Sequence, residues 1–146
     1  MVFPLLSLLV PANVDYGLIG SRAYMDAPNS DYDFLFHWED RDKVLQHLLK
    51  LGVEYHGAMA ESVKFDVEFV PTERFFKTGY NKMPINFCFT EDYDAWIKAT
   101  EAMKKFARSQ PPFFFRNMEK KFRILMFVDL VESFGGKRPL FPNLTS

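Results

Sequence analysis

Gly17-Leu-Ile-Gly-Ser-Arg-Ala-Tyr-Met-Asp-Ala-Pro-Asn-Ser-Asp-Tyr-Asp-Phe-Leu-Phe36 decides the reading of this chain. Tyr16 to Gly20 is a short apolar run that ends in Gly-Ser, the pattern of a buried strand feeding a tight turn. Nine residues separate Ser21 from Asp31-Tyr32-Asp33, and Asp31 to Trp38 alternates and is rich in aromatics, which predicts a second strand. Residues two apart in a strand point to the same face, so Asp31 and Asp33 present their carboxylates side by side while Tyr32 and Phe34 face the other way. Two such carboxylates repel unless a cation lies between them, and hard oxygen donors suit Mg²⁺ or Mn²⁺. A solvated acidic turn is the competing reading of any Asp-x-Asp taken alone.

A second acidic strand shifts that balance. Val63-Lys-Phe-Asp-Val-Glu-Phe-Val70 alternates so that Asp66 and Glu68 share one face and Phe65, Val67 and Phe69 the other, and Pro71 stops it. Paired beside the Asp31 strand, it would add a third carboxylate, Asp66 first and Glu68 as second choice. Gly20 lets a backbone approach a phosphate closely, and Ser21 offers a hydroxyl and an amide N–H. Arg22 is placed either to contact a phosphate or to stand exposed without a role.

Outward from these motifs, strands and helices alternate. Asp40 can cap a helix carrying Val44, Leu45, Leu48, Leu49 and Leu51 at helical spacing, with Gly52 at its left-handed end. Val53 to His56 is a weak strand, Glu73 to Lys77 a short helix, and Ile85 to Phe89 a further strand. Thr90 is a good N-cap, followed by Glu91 and Asp92, for a helix running to about Arg108 that buries Tyr93, Trp96, Thr100, Met103 and Ala107. After Pro111 and Pro112 a final helix is predicted from about Phe114 to Ser133, ended by Gly135 and Gly136. The expectation is one α/β (α+β) domain over residues 1–146, with its motif core at about 14–77 and C-terminal elements at about 85–134.

Composition closes off other classes. Hydrophobic residues at 48% and charged residues at 25% exclude a disordered chain or a coiled coil. The single cysteine, Cys88, excludes an internal disulfide and points to a reducing, cytoplasmic setting. No apolar run reaches the ~20 residues of a membrane span, and Met1 to Ala12 lacks the basic start of a signal peptide. The three histidines have no zinc spacing with Cys88, and neither Gly-x-Ser-x-Gly nor a Walker loop occurs. The net charge of -1 divides unevenly. Residues 26–73 hold eleven acids against four bases, and residues 98–123 hold eight bases against two acids, a metal-binding half and a phosphate-facing half. Phe113-Phe114-Phe115 fits core packing better than base stacking.

A Gly-Ser turn, a spacer, Asp-x-Asp with an apolar run and a later strand bearing a third aspartate resemble the DNA polymerase β-like nucleotidyltransferases. The hydrophobic exit of the third strand into Pro71 is similar too, and the likeness covers about residues 14–77. It implies a central mixed sheet in which the strand of Asp66 neighbours that of Asp31 and Asp33. It also implies two metal ions ~3.5–4 Å apart on Asp31, Asp33 and Asp66, Gly20, Ser21 and Arg22 at the phosphates, and Asp66 as proton acceptor. The implied activity moves a nucleoside monophosphate from a nucleoside triphosphate to a hydroxyl of RNA, protein or a small molecule. Lys98 to Arg123 favours RNA among these. A catalytically silent nucleotide-binding or regulatory module is the alternative. The larger members' acceptor-gripping domain has no counterpart motif after Lys77.

Overall fold

The computed structural model describes residues 7–25, 30–68 and 82–139. Five strands form one mixed sheet: β1 (Tyr16–Ile19), β2 (Tyr32–His37), β3 (Tyr55–Ala58), β4 (Ser62–Glu68) and β5 (Lys82–Thr90), in the order β1-β2-β5-β4-β3. Among the described residues they are accompanied by helices α1 (Ser21–Tyr24), α2 (Arg41–Lys50), α3 (Tyr93–Arg108) and α4 (Lys120–Ser133), with a 3-10 turn at Trp38–Asp40. The architecture is therefore mixed α/β, as the alternation of patterns requires.

Strand period sorts the side chains into two unlike faces. Phe34 and Phe36 of β2, Phe65 and Val63 of β4, and Ile85, Phe87 and Phe89 of β5 are buried in one core cluster with Val44 and Leu48 of α2 and with Leu9, Val10 and Val14. Phe87 is its hub: its ring lies 4.7 Å from that of Phe36 and 5.0 Å, edge on, from that of Phe65. Val44 and Leu48 are one helical turn apart, which is why α2 buries that stripe. Gly52, at φ 74°, ends the helix as its place predicts. On the opposite face, α3 lies over β1 and β2, with Ile97 against Gly17, and packs on α4 through Ala95, Ala99 and Val131.

Several expectations shift. β5 runs parallel to β2 and antiparallel to β4, so it stands between the Asp33 strand and the Asp66 strand, which are not neighbours. The physical reason lies in the apolar alternation of Ile85, Phe87 and Phe89, whose three buried side chains fit a central strand. The strand forecast at Val53 to His56 lies at Tyr55–Ala58, with a bulge between Tyr55 and Gly57. Thr90 belongs to β5, and Asp92 holds the N-cap position of α3; the Thr90 hydroxyl instead accepts the Asp92 N–H at 3.0 Å. Tyr93, Trp96 and Ala107 are only half-buried, because the smaller Ala95 and Ala99 let α4 approach. The last helix starts at Lys120, since residues 112–117 form turns in which Arg123 donates to the carbonyls of Phe115 and Met118. The expected helix at 73–77 and the exit at 69–71 lie outside the described residues.

Replacing the hub should be costly: Phe87→Ala removes a fully buried ring and should destabilise the protein by about 3–5 kcal/mol in urea denaturation, with Phe87→Leu losing clearly less.

Candidate functional site

The second face of the sheet is covered by α3 over β1 and β2, while Lys64 and Asp66 on β4 stay exposed. Register places the site. Asp33 is opposite Ile19 of β1 on one side and Asn86 of β5 on the other, and Asn86 is in turn opposite Lys64 of β4. Asp33, Asn86 and Lys64 therefore form one row across three strands on the same face. Asp66, two residues past Lys64, is on that face as well.

At the end of β1 the chain turns through Gly20 at φ 73°, in the left-handed region open to glycine. Its Cα lies against Asp33: an added Cβ would collide with Oδ2 and stand 3.1 Å from Cγ. The turn continues into α1, where the Gly20 carbonyl accepts the Ala23 N–H and the Ser21 carbonyl accepts that of Met25. Gly20 and Ser21 are thus brought to the Asp33 carboxylate by β1–β2 pairing. Arg22 donates to the Ser30 carbonyl at 2.9 Å and stacks on Tyr32 with 4.2 Å to the ring centroid. It clasps the start of β2 to α1.

Asp33 is the electrostatic centre. Burial raises its pKa to about 6 from an ordinary 3.8; the 3.1 Å hydrogen bond from Asn86 Nδ2 opposes the rise, the charge of Asp31 adds to it, and Lys64 and Lys120 pull it back. Burial, helped by the Asp33 charge, also pushes the Cys88 thiol up, so Cys88 is no ready thiolate. Beside them Tyr24 is raised by burial and lowered by its hydrogen bond with Arg123. The Oδ1 atom of Asn86 is buried without a hydrogen-bond partner. This unpartnered amide oxygen, on the residue that hydrogen-bonds Asp33, suits a hard cation or the water bound to one.

Asp31 and Asp33 therefore fit a divalent cation, and Asp66 does not join them. With β5 between, two strand spacings of ~4.8 Å separate its backbone from that of β2, and its Oδ1 lies 3.5 Å from Nε2 of His56. Among the described residues no group of three or more His, Cys, Asp or Glu is arranged to hold a metal ion. The expected convergence of three carboxylates is thus absent, for the same reason that the strands are not neighbours. Glu68 closes β4 opposite Lys82. Sequence reading missed Asn86, Lys64 and Tyr24. Asn86 had a signal, being the one polar position between Ile85 and Phe87 in an otherwise apolar strand.

No family model matches this chain, and no curated protein matches it. Among the described residues no helix is long and apolar enough to cross a membrane.

Without divalent cations, ionising Asp33 penalises the folded state, so the stability it contributes is present below pH ~4 and is lost as the pH rises through about 6. Asp33→Asn should abolish that loss and gain about 1–3 kcal/mol over the parent at pH 7.5 relative to pH 4, read by urea denaturation at both pH values. Gly20→Ala should lose both stability and Mn²⁺ affinity in calorimetry, because its methyl group meets Asp33 and its φ is strained.

Proposed function

We propose that the chain is a cytoplasmic, divalent-cation-dependent nucleotidyltransferase whose centre is Asp33, with Asp31 as its partner and the Gly20–Ser21 turn as its phosphate seat. The observation that carries this reading is the apposition of Gly20 to the Asp33 carboxylate, which sets a backbone turn and two neighbouring carboxylates at one place. Mg²⁺ or Mn²⁺ would be held by Asp31 and Asp33. When bound, such an ion would supply positive charge that offsets the charge developing on the leaving pyrophosphate.

The chain's own groups supply the rest. The Ser21 hydroxyl and amide are at the end of the turn where phosphate oxygens would be received. Lys64 and Lys120 add positive charge that is felt at Asp33. In the transfer, the acceptor oxygen bonds to the α-phosphorus of the nucleoside triphosphate, the bond to the bridging oxygen breaks, and pyrophosphate leaves with that electron pair. The acceptor's proton passes to a base on the open half of the face, where Asp66 beside His56 is the candidate. RNA, a protein side chain and a small molecule all satisfy this chemistry as acceptors.

One specific observation favours a second reading, a silent nucleotide-binding or regulatory module of the same fold. Asp66 stands two strands from Asp33, leaving a pair of carboxylates where the two-ion mechanism wants three.

Incubating the protein with each of the four α-labelled nucleoside triphosphates, Mg²⁺ and cell lysate, then separating RNA, protein and small molecules, tests both. The enzyme transfers label to one fraction, and Asp31→Asn or Asp33→Asn lowers that transfer by roughly 100-fold or more, the worth of several kcal/mol. Tight nucleotide binding with no label in any fraction supports the silent module.

A further inference from the structure

Beside the Gly20 turn is a cavity of about 250 Å³ lined by Ala23, Tyr24, Lys104, Ala107 and Arg108. Tyr24 ends α1 and so connects this cavity to the Asp33 site, one short helix away. Lys104 leans on Glu101 at 3.1 Å and Arg108 is exposed at the end of α3, so two cationic side chains border a space large enough for a phosphate and its sugar.

Tyr24, which lines the cavity, leads into an aromatic cluster. Tyr24 meets the buried Phe115 ring edge on at 5.1 Å, and Phe115 meets Phe114 and Phe106 in turn. Two residues before Phe115, Phe113 does the opposite of a core residue: it is 56% exposed. Its φ of 67° is one that a bulky side chain rarely adopts, and the Arg116 guanidinium stands 5.4 Å from its ring centroid. A strained backbone that holds a ring out into water next to an arginine wants a flat, electron-rich partner. The surrounding segment, residues 98–123, carries eight basic residues and two acidic ones. Positive charge, an exposed ring and two cavity-lining cations, all carried by residues 98–123, match a single-stranded nucleic acid, whose phosphates need Lys and Arg and whose bases need a stacking surface.

We infer that this surface seats the end of a single-stranded nucleic acid, with a phosphate in the Lys104–Arg108 cavity and a base on Phe113. Naming that strand as the acceptor rests on the transfer reading above; the binding itself does not.

The test is fluorescence anisotropy with end-labelled ten-nucleotide RNA, DNA of the same sequence, and the matching duplex, titrated with the full chain in the absence of nucleotide. Single strands should bind more tightly than the duplex, with affinity falling as salt rises by a slope of about 0.7 per phosphate contact. Lys104→Glu with Arg108→Glu should weaken binding at least tenfold, and Phe113→Ala about fivefold or more, with the circular dichroism of the parent retained. Strand binding by the parent protein without any label transfer supports the inference and counts against the catalytic reading alone. Absence of oligonucleotide binding at low salt, equal or tighter binding of the duplex, or unchanged affinity in folded Lys104→Glu/Arg108→Glu protein would overturn the inference.

Discussion

Parallel pairing of β2 with β5 is the constraint from which both faces of this sheet follow. It aligns Phe34 with Phe87 and Phe36 with Phe89, so one face becomes a wall of buried rings on which α2 settles. Because strand residues alternate, the same alignment sets Asp33 against Asn86 on the other face. A slip of one residue would bring the rings to the site and the carboxylate into the core, at a cost the burial of four phenylalanines makes prohibitive. The site is thus held in register by side chains that never touch it.

On the site face the arrangement is electrostatically tense. Asp33 is half-buried, close to Asp31, and supported by one amide hydrogen bond, with Lys64 and Lys120 as partial compensation. Such a group destabilises the unliganded protein at neutral pH, a cost that a purely structural position has no reason to carry. Gly20 reinforces the point, since only a residue without a side chain fits against that carboxylate. The pairing of a tense carboxylate with a side-chain-free turn gives the proposed cation and phosphate chemistry its physical basis.

Much of this was legible in the sequence where period and turn chemistry act locally. The strands around Tyr16–Ile19 and Tyr32–His37, the helix ending at Gly52 and the long helix to Arg108 follow from alternation, helical spacing and a left-handed glycine. Asp31, Asp33 and the Gly20 turn were legible for the same reason, lying at the facing ends of one antiparallel strand pair. The placement of Asp66 was not, because strand order is set by non-local pairing, and the alternation of Val63–Val70 does not say which neighbour it takes. Phe113 and Phe115 show the same limit. They belong to one run of three phenylalanines, yet the turn at 112–117 buries Phe115 and exposes Phe113.

The two outer strands of the sheet bear on how the protein behaves in a crowd. β1 and β3 are four residues long each, and β3 is interrupted by the bulge between Tyr55 and Gly57. Short or bulged rims offer few consecutive backbone hydrogen-bonding groups to a passing chain. A sheet interior built so heavily of phenylalanine would be a hazard if another copy could add to it strand by strand. The irregular rim around His56 therefore doubles as a guard against self-association into fibres.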